Sequence, residues 1–464
     1  MKLQPYIEYK DSGVPWLEKI PAHWDFFRNG RLFAQRNETG FGALPILEVS
    51  LKTGVRVRDM ENLKRKQVMS DREKYKRAAQ GDIAYNMMRM WQGAVGVAPV
   101  DGLVSPAYVV VRPFPDVDCR YYSYLFRTAS YMREVDAYSR GIVKDRNRLY
   151  WQDFKRMPSP VPPVDEQRQI ANFLNAVGSK AKHFIRNKRR LIELLKEQKQ
   201  NIINQAITRG LDPNVQLKPS GVEWIGDIPE HWEIRKLKFV SKRIVGGATP
   251  ASGQSELWDG DVVWVTPQDV SKNGRLSSSA RKLTSAGVAS CSTVIVPQGS
   301  IIVTSRAPVG NVSIAEVELC TNQGCKAVFP DKQFMLGEYC FVLLKVMKPV
   351  FQRAANGTTF SEISTWAFEN LKAPLLPTSE QEEILVYIQE ATSNIDQVIT
   401  RAQHEIELMR EYHTRLISDV VTGQVDIRGI EVPEVVEGKT ADLYEKACDD
   451  NHMTDGDENE EDGE

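Results

Sequence analysis

Apolar positions along this chain follow two alternating patterns, one long and helical, the other short and broken. From Asp165 to Thr208 there is no proline, and steps of three and four from Ile170 give Ile170, Leu174, Val177, Ala181, Phe184, Lys188, Leu191, Leu195, Gln198, Ile202 and Ala206, nine of eleven apolar. From Ser379 to Thr422 the same steps give Ile384, Ile388, Ala391, Ile395, Val398, Ala402, Glu405, Met409, Tyr412, Leu416 and Val420, ten of eleven apolar or aromatic. A seam with a period near 3.5 residues predicts two long helices that pair as a coiled coil, although an ordinary core stripe has the same spacing. The charged opposite face (Lys180, Lys182, Arg186, Arg189, Arg190, Glu193, Lys196) favours a long exposed pair. Forty-four residues would span about 65 Å if unbroken. Gly178-Ser179 is the expected break in the first helix. Asp165 with Gln167, and Ser379 with Glu382, follow prolines and offer N-cap chemistry.

Ahead of each helix lie short β-like runs punctuated by Gly and Pro: Ile46–Val49, Val95–Ala98 and Ala107–Val111, then Val262–Val265, Thr293–Val296, Ile301–Thr304 and Val312–Ala315. One helical stretch follows in each set, across Arg120–Tyr138 and Leu336–Ala355. Each middle therefore reads as an α+β domain.

The two halves repeat one another. SGVPWLEKIPAHW at 12–24 and SGVEWIGDIPEHW at 220–232 share eight of thirteen residues. Gln80-Gly81-Asp82-Ile83 matches Gln298-Gly299-Ser300-Ile301, and Tyr122, Leu125 and Phe126 match Tyr339, Val342 and Leu343. Pro163, Glu166, Gln167 and Ile170 recur as Pro377, Glu380, Gln381 and Ile384. The offset drifts only in between, so the insertions lie within the middles, which should be loop-rich domains on shared supports.

The near-neutral balance of 60 Lys plus Arg against 61 Asp plus Glu hides an asymmetry: nine acids and no Lys or Arg lie between Asp449 and Glu464, which leaves residues 1–448 at +8. A mildly basic body permits a polyanionic partner. Met1–Gly13 has no apolar signal region and no run of 18 apolar residues occurs anywhere, so a cytoplasmic protein without a membrane span is expected. Six cysteines without a C-x-x-C pair read as free thiols.

Catalytic and metal motifs are missing. There is no H-E-x-x-H, nucleophile elbow, G-x-G-x-x-G, N-P-P-Y or D-P-P-Y. Gly438-Lys439-Thr440 lacks the P-loop glycine, Pro433 standing in its place, and Glu197-Gln198-Lys199 lies on a helix whose charged face suits solvent. The histidines lack metal-ligand spacing. His23 and His231 each precede a Trp in the repeated I-P-x-H-W, which points to shared packing with Trp16, Trp24, Trp224 and Trp232.

What the middles do carry is polar and basic side chains on loops. The first offers Asn86, Arg89 and Gln92 in YNMMRMWQGAVG, Ser105 in VSPAY, and Lys144, Arg146 and Arg148 in GIVKDRNRLYW. The second offers Thr266 and Gln268 in WVTPQDV, Ser305 and Arg306 in VTSRAPVG, Asn322 and Gln323 in CTNQGCK, and Thr358 and Thr359 in NGTTFSEI. These side-chain types read base edges in the major groove or neutralise phosphates, and any one of them is equally compatible with plain solvation.

Taken together, the duplicated SGVPWLEKIPAHW and SGVEWIGDIPEHW, the PPVDEQRQIANFL and LPTSEQEEI entries to the helices, and their NQAITRGLD and DVVTGQVD ends resemble the DNA specificity subunits of type I restriction–modification systems. The likeness covers about residues 8–430 and stops at the acidic tail beyond Val436, where disorder is expected. It implies two tandem α/β target recognition domains, joined and separated by two long helices in an antiparallel coiled coil: 1–157 and 213–372 for the domains, 158–212 and 373–430 for the spacer helices, 431–464 for the tail. It also implies double-stranded DNA with a bipartite target as ligand. Two methyltransferase subunits and restriction/translocase subunits are the implied partners, and S-adenosylmethionine and ATP with Mg2+ would sit on those partners only. The subunit itself would have no catalytic residue, metal or cofactor. An autonomous DNA methyltransferase or nuclease, or a coiled-coil scaffold that does not bind DNA, are the alternative readings. Two similar domains in one chain approximate a two-fold dimer, which addresses half-sites about one helical turn (~34 Å) or slightly more apart.

Overall fold

The computed structural model of the chain describes residues 3–51, 53–59, 71–141, 147–270, 274–355 and 362–431. The helices are α1 (Cys119–Phe126), α2 (Ala129–Tyr138), α3 (Trp151–Phe154), α4 (Val164–Arg209), α5 (Ser285–Ala289), α6 (Gly337–Val346), α7 (Lys348–Ala354), α8 (Thr365–Glu369) and α9 (Thr378–Val421). Each single helix expected after the strands is thus a pair. Thr128 restarts the first pair by accepting a hydrogen bond from Tyr131 N, and Pro349, whose missing N–H costs nothing in a first turn, opens the second.

Both long helices form, and three expectations about them change. α4 runs unbroken through Gly178-Ser179. A Cβ at Gly178 would lie 3.2 Å from His413 Nε2, so the glycine makes room for an imidazole instead of ending the helix. Asp165 and Ser379 stand inside the first turn, not at its cap. The buried seam also slips by one residue: Leu191, Val398 and Tyr412 are exposed, while Ile192 and Ile406 are buried. An α-helix at 3.6 residues per turn drifts about 20° per heptad from a 3.5 repeat, so after two or three heptads the neighbouring position takes over the seam.

The contacts divide the chain into two units, residues 1–188 with 404–464, and residues 189–403. Each unit thus owns one middle, the start of one long helix and the end of the other, so both 158–212 and 373–430 are shared between units.

In the first unit an antiparallel sheet orders Phe33–Arg36, Tyr108–Pro113, Ile83–Asn86 and Val95–Val97. Asp25–Arg28 pairs with Pro158–Val161 and so closes the domain just before α4. The core packs Trp24, Phe33, Tyr121, Tyr122, Phe126 and Phe154 against Ile170 and Leu174 of α4 and Leu416 and Val420 of α9. Here α4 and α9 run antiparallel: beyond the Gly178 and His413 contact, Lys188 Nζ lies 2.6 Å from Glu405 Oε2.

In the second unit the larger sheet orders Ser241–Gly246, Cys325–Pro330, Ile301–Thr304, Val312–Ala315 and Arg275–Leu276. Trp258–Val265 sits between Arg281–Leu283 and Leu319–Thr321 in a second sheet, and Glu233–Lys236 pairs with Lys372–Leu375. The strand expected at Thr293–Val296 is reduced to one bridge between Val296 and Leu319. Pro297 offers no donor to continue it, and Thr293 Oγ1 donates to the Thr321 carbonyl. Within this unit Lys199 Nζ lies 2.6 Å from Asp396 Oδ1.

Among the described residues no helix is long and apolar enough to cross a membrane.

Candidate nucleic-acid interface

The repeated residues build a clamp at the base of each unit. Glu166, at the start of α4, accepts from Tyr6 Oη at 2.6 Å and Trp24 Nε1 at 3.1 Å, and His23 Nε2 lies 2.8 Å from its other oxygen. Its neighbour Gln167 works in the opposite direction. Its Oε1 accepts from Asp118 N at the start of α1, and its Nε2 donates to the Pro162 and Asp116 carbonyls. The second unit repeats the Trp, His and Gln bonds without a counterpart of Tyr6: Trp232 Nε1 donates to Glu380 at 3.0 Å, His231 Nε2 stands 2.9 Å from it, and Gln381 takes Leu336 N and gives to Leu376 and Phe334 carbonyls. The returning helix ends seal both clamps. Gly423 packs on Pro21 and Trp24, and Gly210 on Pro229 and Trp232, each at a positive φ (74° and 73°) that a side chain would strain. The shared packing expected for His23 and His231 is this clamp, and its acceptors Glu166 and Glu380 are the repeated acids.

Away from the clamps, loop ends gather in each unit. In the first, Asn86 ends a strand opposite Tyr108, whose N–H donates to the Ser105 carbonyl, while Leu149 N donates to the Met87 carbonyl. Asn86, Ser105 and Arg148 are thereby brought to one end of the sheet. Asn86 Oδ1 accepts from Met88 N, which fixes the turn that carries Arg89 and Gln92; Gln92 and Arg148 are exposed. Lys144 and Arg146 lie outside the described residues.

In the second unit the convergence is tighter. Asn322 N donates to the Val265 carbonyl just before Thr266, and Ser305 N donates to the Gly324 carbonyl. Thr266, Gln268, Ser305, Arg306, Asn322 and Gln323 therefore come from three neighbouring strand ends. Thr266 Oγ1 donates to Asp269 Oδ2 at 2.6 Å and shapes its own turn; Gln268 is exposed. Asn322 Oδ1 accepts from Gly324 N, and Gln323 Oε1 accepts from Thr249 Oγ1. Ser305 is buried and its Oγ has no hydrogen-bond partner. Arg306 Nε donates to Glu362 Oε2 at 2.9 Å. Thr358 and Thr359 lie outside the described residues.

Sequence reasoning passed over Lys326, Glu362 and Thr249. Lys326 is buried on the strand that pairs with both Gly246 and Val303. Burial pulls its ammonium below the usual lysine range, with Glu362 opposing and Arg306 reinforcing that shift. A lone cation in the otherwise apolar CKAVF was the available signal. Guanidinium, amide and hydroxyl groups at strand ends above a rigid sheet can offer donors and acceptors to base edges.

Comparison with known proteins agrees with this arrangement. Residues 229–408 match the family described as type I restriction modification DNA specificity domain. The chain is 32% identical over 199 residues to the type I restriction enzyme MjaIX specificity subunit of Methanocaldococcus jannaschii, a match covering 42% of this chain and 45% of that relative. Over 448 residues it is 24% identical to the putative MjaX specificity subunit of the same organism, covering 90% of this chain and 98% of the relative. A structure solved for the assembly and conformational transition of a type I R-M system aligns with a TM-score of 0.66 at 16% identity, over 87% of this chain and 98% of that one. The HsdS subunit of Thermoanaerobacter tengcongensis aligns at 0.50 and 16%, over 87% and 96%. These two structures establish the shared fold.

Proposed function

We propose that this chain, which resembles the DNA specificity subunit of type I restriction–modification systems across both repeats, is the non-catalytic recognition subunit of such a system, acting in the cytoplasm. It reads an asymmetric, bipartite site in double-stranded DNA, one half with each middle. It positions two methyltransferase subunits, which use S-adenosylmethionine, and restriction/translocase subunits, which use ATP with Mg2+. The observation that carries the reading is one clamp holding two chemically different loop clusters: the Trp–His–Glu–Gln frame recurs in both units, while the loop ends do not. A common mount with two different readers is what an asymmetric target requires. α4 and α9 pair as an antiparallel coiled coil that fixes the unread spacer, a role supported by contacts in which each step forward on α4 meets a step back on α9.

The test is genome sequencing that detects methylation, in cells with and without this chain. Loss of a single two-part motif is the expected result. An unchanged methylome, or methylation or cleavage by the purified chain alone, would overturn the proposal.

A further inference from the structure

We propose that one corner of each unit, set apart from the loop clusters, is a phosphate-binding surface that grips the backbone of duplex DNA. The corner is formed by the antiparallel strand pair that closes each domain and the 3-10 turn that follows the first strand of that pair. The two corners are equivalent: Asn29 N donates to the Met157 carbonyl at 2.8 Å, and Leu237 N to the Leu371 carbonyl at 2.9 Å. In the first unit this corner carries Arg28, Arg31, Lys155 and Arg156. In the second it carries Lys236, Lys238 and Lys372, and the chain continues into Lys242 and Arg243 on the edge strand of the larger sheet.

Three features separate this surface from ordinary solvated charge. First, none of these nine cations lies within ion-pairing distance of a carboxylate among the described residues, although both units are otherwise rich in such pairs. Two of the nearby acids are engaged elsewhere, Asp153 with Arg140 and Glu233 with Arg235. Second, Lys236 and Lys372 are direct cross-strand partners. Like charges in that position are destabilising, so the sheet tolerates a repulsion that an anion would relieve. Third, the two corners share charge without sharing residues. Only Arg28 and Lys236 align as cation with cation; Gly30 stands where the second unit has Lys238, Arg31 where it has Phe239, Pro158 where it has Lys372, and Lys155 where it has Glu369. Shared packing would have kept residue types, whereas attraction to a polyanion needs only an excess of cations, which both corners have. Even the aromatic support is re-made, with the Arg31 guanidinium 4.2 Å over Phe27 and Lys238 Nζ 5.2 Å from the Phe239 ring centroid.

This rests on the DNA-binding role above and adds to it. Loop ends would select sequence, and the corners would supply sequence-independent grip. The test uses the full chain, a fluorescent 30-bp duplex of random sequence, and anisotropy titrations between 50 and 200 mM KCl. Two variants, R28A/R31A/R156A and K236A/K238A/K372A, each remove three cations, with K236R/K238R/K372R as the charge-preserving control. Each lost phosphate contact lowers the steepness of log affinity against log salt by about 0.9, so each alanine set should flatten it by about 2.7, and the fourfold salt rise would then weaken binding about 40-fold less than in wild type. The arginine set should keep the wild-type slope. Alanine variants that stay folded by circular dichroism yet keep the full slope overturn the surface, as does loss of partner-subunit binding with the slope intact. Failure of the recognition reading looks different: wild type would bind the random duplex with a steep slope while no methylated motif depended on it.

Discussion

Replacing Glu166 by Ala should destabilise the first unit far more than Glu380→Ala destabilises the second. Glu166 is 6% exposed and holds three donors, two of them on fully or nearly buried rings, Trp24 at 0% and Tyr6 at 4%. Removing the carboxylate strands the indole N–H and the phenol together, and leaves only His23, itself 37% exposed, to be rescued by water. Breaking one partner of a buried charge-assisted cluster costs about 3–5 kcal/mol. Glu380 is 22% exposed, His231 is 51% exposed, and Trp232 is the single buried donor, so the same change there should cost about 1–2.5 kcal/mol. Glu166→Gln keeps a neutral acceptor for Trp24 and should fall between wild type and alanine. Hydrogen exchange read by mass spectrometry localises the effect: peptides covering residues 3–24 and 164–175 should lose protection in the Glu166 variant, and peptides covering 225–235 and 378–388 in the Glu380 variant. An equal or larger loss at Glu380, or wild-type protection in Glu166→Ala, would refute the account of the clamps.

Other outcomes follow from the same geometry. Arg306→Ala should cost about 1–3 kcal/mol if its bidentate base contact is lost, and relax one half-site only, read by competition with single-base-pair variants of the target; equal loss on every sequence would mark a phosphate contact instead. Removing one heptad from the Asp165–Thr208 helix should change the spacer between the half-sites in the methylome and leave both half-sites as they were. His413 is half-buried against Gly178 with its Nε2 shut off from solvent and unpartnered, and burial, with Lys182 adding to it, holds its pKa below 6.5. The unfolded chain then binds the extra proton first, so stability is full above pH 6.5 and falls as pH drops below it. His413→Gln should flatten that loss in thermal melts between pH 7.5 and 5, and an unchanged profile would count against a half-buried neutral imidazole.

How much of this was legible in the sequence depended on what constrained each residue. Trp24, His23, Glu166 and Gln167 stood out because their counterparts recur two hundred residues on, and identity at matched places requires no knowledge of the contact. The contact itself was hidden, since Gln167 reads equally well as the capping partner of Asp165 at the start of the helix. The long helices were visible through their periodicity. The seam's drift onto Ile192, Ile406 and His413 was not, because a few residues decide between 3.5 and 3.6 per turn only over several heptads. Polar loop residues had no periodicity at all. Ser305 looked exposed by type, yet it ends a strand in which Ile301, Ile302, Val303 and Thr304 are all buried, so alternation gave no sign of which way it faces. Thr266 likewise serves Asp269, a pairing between neighbours that composition does not signal.

The separation of frame from loops has a physical consequence for how such a chain can change its target. Every clamp bond runs between the I-P-x-H-W segment, the chain start, the helix entries and the loops that lead into α1 and α6; none involves Asn86–Gln92, Ser305–Arg306 or Asn322–Gln323. Loop substitutions can therefore alter which donors face the duplex without leaving a buried clamp donor unpaired, and stability in the two regions should be close to additive. The exception is Arg306, whose partner Glu362 lies near the buried Lys326. Removing that guanidinium removes a repulsion on Lys326 as well as a candidate base-reading group, so on the proposed reading this position couples specificity to the core beneath it in a way that exposed Gln268 and Gln92 do not.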